Sequence, residues 1–372
     1  MTSGDQADVA VVGAGIIGLS AAYALERRGA SVTVYERGVP GNGQSGGDSR
    51  IFRHTHDDPR LIAFARRSLA RWREWERESG RELVSRDGVV FLGSTARERH
   101  AALTAAGVCA RLLDGAEVAA ALPLLVTQEG SELLLDEDGG VIRTRTAIEM
   151  LRSAVADRIV YDEVMSVRPT PSGAVEVRRG DAAAEHDQVL VCAGIGTAGL
   201  AHGTGVELPV RNSLHVRLTF ALRAAAPARL ACLLDAGGAS GETHAYGDPL
   251  PGNGSYAVGV TEAAIHPDGG LIDPDGLALA ARRTVAYANL MLPGVLPTPS
   301  QARHCWVTEL EWGTDGFAVW SADGAHFLSG QNLFKHAPAI GEALAATALT
   351  QPTEIDLSPH ARLGAATLVR AR

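Results

Sequence analysis

Several things are scarce in this chain of 372 residues, and each absence narrows its function. No run of about twenty apolar residues occurs, so no membrane-spanning helix is expected. Cysteine is rare: Cys109, Cys192, Cys232 and Cys305 lie far apart with no CxxC pair, which argues against a zinc ribbon or a disulfide framework and fits reduced thiols in a cytoplasm. The histidines show no HExxH or comparable ligand spacing, so no metal is expected. Basic charge is outweighed by acidic, and the formal net charge of −9 argues against nucleic acid or an anionic membrane as the main partner. The first residues, MTSGDQADVAVVGAG, carry no basic start or cleavable apolar core and enter a strand almost at once. No internal repeat, linker or low-complexity tract is visible beyond short alanine runs.

What is present is a soluble globular composition, 46% apolar and 21% charged, on a chain long enough for two cores. Residues 8–36 read as one βαβ unit: DVAVV is a buried strand, GAGIIGLSAAYALERRG a turn opening into a helix, and SVTVYE a second strand. Gly29 stands where a helix C-cap glycine belongs. Residues 37–57 are rich in Gly, Ser and Asn without apolar period and read as a long functional loop. Asp58 and Pro59 then open an amphipathic helix whose Trp72 and Trp75 are expected in the core. Short strands and an Ala/Leu helix fill 85–140, followed by a helix (TAIEMLRSAVAD), a strand (IVYDE), a polar hairpin and the apolar strand QVLVCAG. Residues 209–304 are β-rich, with HVRLTF, THAYGDP and SYAVGV as strands and a helix near 275–290. A strand (HFLSG), a loop and a buried helix (APAIGEALAATAL) close the pattern.

Gly13, Gly15 and Gly18 form GxGxxG between strand and helix. The first glycine permits the tight turn, the second lets a pyrophosphate approach the backbone, and the third lets helix and strand pack closely. The helix N-terminus presents unpaired N–H groups to the phosphates. Glu36, 23 residues after Gly13, ends the second strand where a carboxylate can accept from ribose hydroxyls. An acid there disfavours a 2′-phosphate and leaves FAD or NAD. The fingerprint's position before other strands that arrive late favours FAD.

The loop SGGDSRIFRHTH, residues 45–56, resembles the segment after the βαβ unit in the sarcosine oxidase, N-methyltryptophan oxidase and glycine oxidase group of D-amino-acid-oxidase-like flavoproteins. The resemblance runs along almost the whole chain and is strongest in the first 60 and last 70 residues. It implies that Ser45, Asp48, Ser49 and Arg50 line the flavin and that Arg53 pairs with a substrate carboxylate. Such roles suit the chemistry, since fixed positive charge stabilises a reduced flavin and a guanidinium grips a carboxylate with two parallel hydrogen bonds. The segment SGQNLFKHAPAIGE, residues 329–342, resembles the family's closing motif, with Gly330 near the flavin and Lys335 as the second arm of the carboxylate clamp. Gln331, Asn332 and Leu333 depart from its glycine pattern.

Cys305 falls where the sarcosine oxidase branch bonds its flavin covalently, and the resemblance leaves that attachment open here. Val307 replaces an aromatic, and EWGTDGF has roughly two extra residues. Tyr246 matches an aromatic beside the substrate, although a core tyrosine reads equally well. Ala257 stands where the branch has a lysine over the flavin, the group expected to favour electron transfer to oxygen, and Thr261 replaces a histidine.

The expected fold is α/β, a Rossmann-type FAD-binding domain (1–84, 141–208 and 305–372) with a mixed, largely antiparallel β-sheet substrate domain (85–140 and 209–304). The expected activity is FAD-dependent oxidation of the C–N bond of an amino acid or N-substituted glycine to an imine, with O₂ as acceptor and a specialised biosynthetic role. A flavin-dependent amine dehydrogenase with another acceptor, a non-catalytic FAD-binding subunit and a nicotinamide-linked dehydrogenase are the alternatives.

Overall fold

Short apolar runs that sit far apart in the chain come together in one six-stranded sheet. In the computed structural model, which describes residues 7–128, 130–238, 240–260 and 274–365, its order is Phe317–Ala322, Ala325–Gly330, Gln188–Val191, Asp8–Val12, Ser31–Glu36 and Ile159–Tyr161. All pairings but the outermost Phe317–Ala322 hairpin are parallel. Parallel strands must be covered on both faces, and these are. Val9, Val11, Val32, Val34 and Leu190 face the helices Ile16–Arg27, Pro59–Ser79 and Ala337–Ala348. Ala10, Val12, Val189 and Val191 face a three-stranded antiparallel sheet through Val167, Val175 and Val177. This is the Rossmann-type unit.

Local chemistry sets the helix ends. Asp58 caps the Pro59–Ser79 helix by accepting from the Arg60 N–H at 2.9 Å, and Gly80 ends it in the left-handed conformation. Trp72 and Trp75 are buried in the main core and meet edge to face. Gly29, at φ +78°, follows the end of the first helix.

A second sheet of eight strands runs Gln301–Leu310, Val210–Ala221, Ser255–Val260, Ala245–Pro249, Cys232–Asp235, Val89–Leu92, Leu133–Asp136 and Ala110–Leu112. Only the pairing of Cys232–Asp235 with Val89–Leu92 is parallel, so the sheet is mixed and largely antiparallel. Side chains alternate between faces along each strand. Val216, Leu218, Phe220, Tyr256 and Val258 pack under the helix Pro274–Met291 with Tyr287 and Ala288. The intervening residues, among them His215, Arg217, Tyr246 and Asp248, turn to the opposite face, where the cavity lies.

One expectation needs correction. The stretch 37–57 is not loop throughout, because Ser49–Phe52 forms a strand antiparallel to Gly140–Arg143. Its partner is remote and the strand has four residues, too few to show an alternation. Thr261 lies outside the described residues. No helix among the described residues is long and apolar enough to cross a membrane, and among them no group of three or more His, Cys, Asp and Glu side chains could hold a metal ion.

Candidate active site

A cavity of ≈ 1030 Å³ runs from the glycine turn of the first sheet to the polar face of the second. At one end the backbone of the turn leaves no room for side chains. A Cβ on Gly13, which has φ +99°, would lie 2.6 Å from the Cys192 carbonyl oxygen, and one on Gly18 would lie 1.9 Å from that of Gly13. Gly13 and Gly15 line the cavity, while Gly18 packs helix against strand behind them. Glu36 accepts from the Ala14 N–H at 2.7 Å and the Gly38 N–H at 2.8 Å. Its carboxylate is thereby fixed at the cavity rim. The Ser45 hydroxyl accepts from the Ile16 N–H at 2.9 Å, in the first turn of the helix.

The following loop is tied down by Arg50, whose guanidinium donates to the carbonyls of Gln44, Gly46 and Ser49 from the cavity wall. Burial, and then the nearby Arg217 charge, lower its pKa. Asp48 and Ser49 are placed differently from their neighbours. Asp48 pairs with Arg145, and Ser49 is buried against Arg217; neither lines the cavity.

At the far end Arg53 and Lys335 converge, and a carboxylate of the protein itself stands between them. Arg53 Nη2 donates to Asp315 Oδ2 at 2.6 Å, and Nη1 donates to the Thr55 carbonyl. Asn332 Nδ2 donates to Asp315 Oδ1 at 2.6 Å, and His56 Nδ1 lies 2.9 Å from Oδ2. Lys335 Nζ donates to the Asn332 carbonyl at 3.0 Å and lies 4.0 Å from Asp315. Burial pulls the Lys335 pKa down to about 7 against the pull of Asp315, and burial together with Arg53 pulls His56 down to about 3. Burial would raise the Asp315 carboxyl, but Arg53, His56 and Lys335 outweigh it and hold it well below the usual range.

The second sheet supplies the remaining wall. Tyr246 lines it, its pKa pushed up to about 12 by burial, with its ring over Gly259, where a Cβ would come within 2.5 Å. Arg217 crosses the strand Ser255–Val260 to pair with Asp248, Nη2 lying 2.6 and 2.7 Å from the two carboxylate oxygens. Ala257, opposite both Thr219 and Asp248 in the pairing, is buried. Cys305 is opposite His215 on the strand Gln301–Leu310 and lines the cavity. Gly330, at φ +147°, lines it too, pressed against Phe317.

Of the residues singled out in the sequence, Gly13, Gly15, Glu36, Ser45, Arg50, Arg53, Tyr246, Cys305, Gly330 and Lys335 share this one cavity. The sequence reading missed Asp315, His56, Arg217 and Asp248. A charged residue in the middle of the alternating HVRLTF strand is a usable signal for Arg217; nothing local marks the other three.

The residues fit an FAD. The volume exceeds what a small substrate alone needs, the glycine turn can be approached closely by a pyrophosphate, and Glu36 stands at the strand end where a ribose is read. Among solved structures the fold is similar to the open form of the Tyr258Phe mutant of NikD, an unusual amino acid oxidase essential for nikkomycin biosynthesis, with TM-score 0.81, 20% identity and 99% of each chain covered. It is also similar to glycine oxidase from Geobacillus kaustophilus (TM-score 0.78, 18% identity, 99% of each chain) and to L-proline dehydrogenase from P. horikoshii (TM-score 0.78, 17% identity, 95% of this chain and 96% of that one). No curated protein matches the chain. The model of the DAO family, FAD dependent oxidoreductase, matches residues 8–347, and with that match over most of its length the chain belongs to this family of flavoenzymes.

Proposed function

We propose that the protein oxidises the C–N bond of an amino acid or N-substituted glycine to an imine, which water hydrolyses, and passes the electrons to O₂ to give H₂O₂. The observation that carries this reading is the placement of Arg53 and Lys335 at one end of the cavity whose other end is the glycine turn. Bound FAD supplies the two-electron acceptor for the hydride equivalent. The chain's own residues then have separable tasks. The turn at Gly13 and Gly15 seats the pyrophosphate, Glu36 the ribose, and Arg50 with Ser45 the loop beside the ring system. Arg53 and Lys335 orient the substrate carboxylate, so that the bond to be broken is held in one geometry. Tyr246 closes the wall beside it. Gly18, Asp48 and Ser49 act from behind this layer, and Cys305 is the candidate point of covalent attachment. A role in specialised biosynthesis and a cytoplasmic location complete the reading; NikD's part in nikkomycin biosynthesis and the four unpaired cysteines support them.

A second reading has its own support. Ala257 offers no charge, and Arg217, the cation that crosses its strand, is already engaged by Asp248, so an acceptor other than O₂ is a coherent alternative. Anaerobic mixing of the yellow holoprotein with N-substituted glycines, glycine, sarcosine and cyclic amino acids, followed by air, tests both. Bleaching with recovery in air supports the oxidase. Bleaching without recovery supports the dehydrogenase, and no bleaching by any amino acid overturns the proposal.

A further inference from the structure

Asp315 is fixed where it stands. Its turn joins the strands Gln301–Leu310 and Phe317–Ala322, with the Gly316 N–H donating to the Gly313 carbonyl at 3.1 Å and the Gln331 N–H donating to the Gly316 carbonyl at 3.1 Å. Trp312 Nε1 donates to the Leu363 carbonyl at 3.0 Å, and the backbone of Gly364 packs so tightly on Asp315 that a Cβ there would approach within 2.8 Å. A carboxylate held in this way is a permanent part of the charge balance, unlike a side chain free to swing aside. It takes one fork of Arg53, the Asn332 amide and His56, and it faces Lys335 at 4.0 Å.

We propose that Asp315 is a specificity-determining residue of the cavity, a resident counter-charge that leaves the Arg53–Lys335 seat able to compensate one substrate carboxylate and no more. The inference rests on the reading of that seat as a carboxylate site. With Lys335 Nζ protonated, Arg53 and Lys335 against the one fixed anion leave a single unit of positive charge, and with Nζ neutral they leave none. The neighbouring cation Arg99 is already paired with Asp57 at 2.5 Å, so a second carboxylate on the substrate would meet Asp315 without an uncommitted cation of the seat beside it, and like charges at such range in a poorly solvated site repel strongly. Asp315 thus selects monocarboxylates over dicarboxylates without touching the carbon being oxidised.

The test uses FAD-loaded wild-type protein and Asp315→Asn, an amide of equal size that keeps a partner for Asn332. Perturbation of the flavin absorption by acetate, malonate and acetamide reports binding without turnover. The amide variant is expected to bind acetate on the order of tenfold more tightly, to gain more for malonate, and to leave acetamide within about twofold. Acetate and malonate binding that is unchanged or weaker in the variant overturns the role of Asp315 while leaving the seat intact. If no carboxylate perturbs either protein, the seat itself falls, and the proposal with it. Asp315→Ser carries the same expectation should the amide variant fail to hold flavin.

Discussion

Arg217 and Asp248 form an ion pair across an intervening strand, one guanidinium nitrogen reaching both carboxylate oxygens, and both residues are almost wholly out of water, at 7% and 1% exposure. Arg217 also donates to the Ser49 carbonyl at 2.9 Å and to the Ser49 hydroxyl at 2.8 Å, so the pair ties the second sheet to the start of the strand Ser49–Phe52.

Removing one partner strands a buried charge. Asp248→Ala is expected to destabilise the holoprotein by roughly 3–5 kcal/mol, whereas replacing both residues together (Arg217→Met with Asp248→Leu) is expected to recover most of that loss. Thermal melts of the three proteins read this out. A midpoint for Asp248→Ala equal to wild type would mean that the charge escapes to water.

Gly18 tolerates nothing larger. Its Cβ would lie 1.9 Å from the Gly13 carbonyl oxygen, a backbone atom that cannot give way without opening the turn. Gly18→Ala is expected to be purified with less than about a tenth of the wild-type flavin and to melt earlier, by an overpacking penalty of about 1–3 kcal/mol or more. Full flavin content in that variant would show that the turn is not the phosphate seat.

Lys335 makes the far end of the cavity sensitive to pH. Its pKa falls from 10.5 to about 7 in the folded protein, chiefly through burial. Between those values the unfolded chain binds a proton that the folded one does not, so this lysine makes stability rise with pH across that window, and its burial penalty is complete below about pH 7. Lys335→Met is therefore expected to be more stable than wild type at pH 6, with the advantage shrinking towards pH 10. Acetate affinity of the wild-type holoprotein should fall as pH rises through about 7, as Nζ loses its proton beside Asp315 and Arg53. His56 and His336, both pushed down by burial, are already neutral there and add no step. An acetate affinity flat from pH 6 to 9 would contradict the assignment of Lys335 to the seat.

How much of this was readable from the sequence depends on how far apart the interacting residues lie. The βαβ unit was legible because strand, turn, helix, cap and acidic strand end follow one another within thirty residues, each with its own local chemistry. The strand Ser49–Phe52 was not, since only its pairing with Gly140–Arg143 makes it a strand. Arg53 and Lys335 were reached through resemblance to a family, which placed both near a carboxylate. That the carboxylate in contact with Arg53 belongs to Asp315 could not be foreseen, because its partners come from positions 53, 56, 332 and 335, and its own segment, EWGTDGF, stands out in the sequence only by roughly two extra residues. Likewise HVRLTF and THAYGDP were both read as strands, but pairing Arg217 with Asp248 requires knowing that SYAVGV lies between them.

That middle strand has a consequence for how the site could be changed. Ala257 and Gly259 form a shallow furrow behind the cavity wall, bridged by the Arg217–Asp248 pair and covered at Gly259 by the Tyr246 ring. Positions 217, 246, 248, 257 and 259 are therefore coupled by direct contact and register. A lysine at 257 alone would have to share a closed furrow with an arginine already in place. The route to it runs first through losing Arg217 and Asp248, an intermediate in which Ser49 also loses its anchor. Such a wall can be exchanged whole, as a module, far more readily than it can be edited one letter at a time.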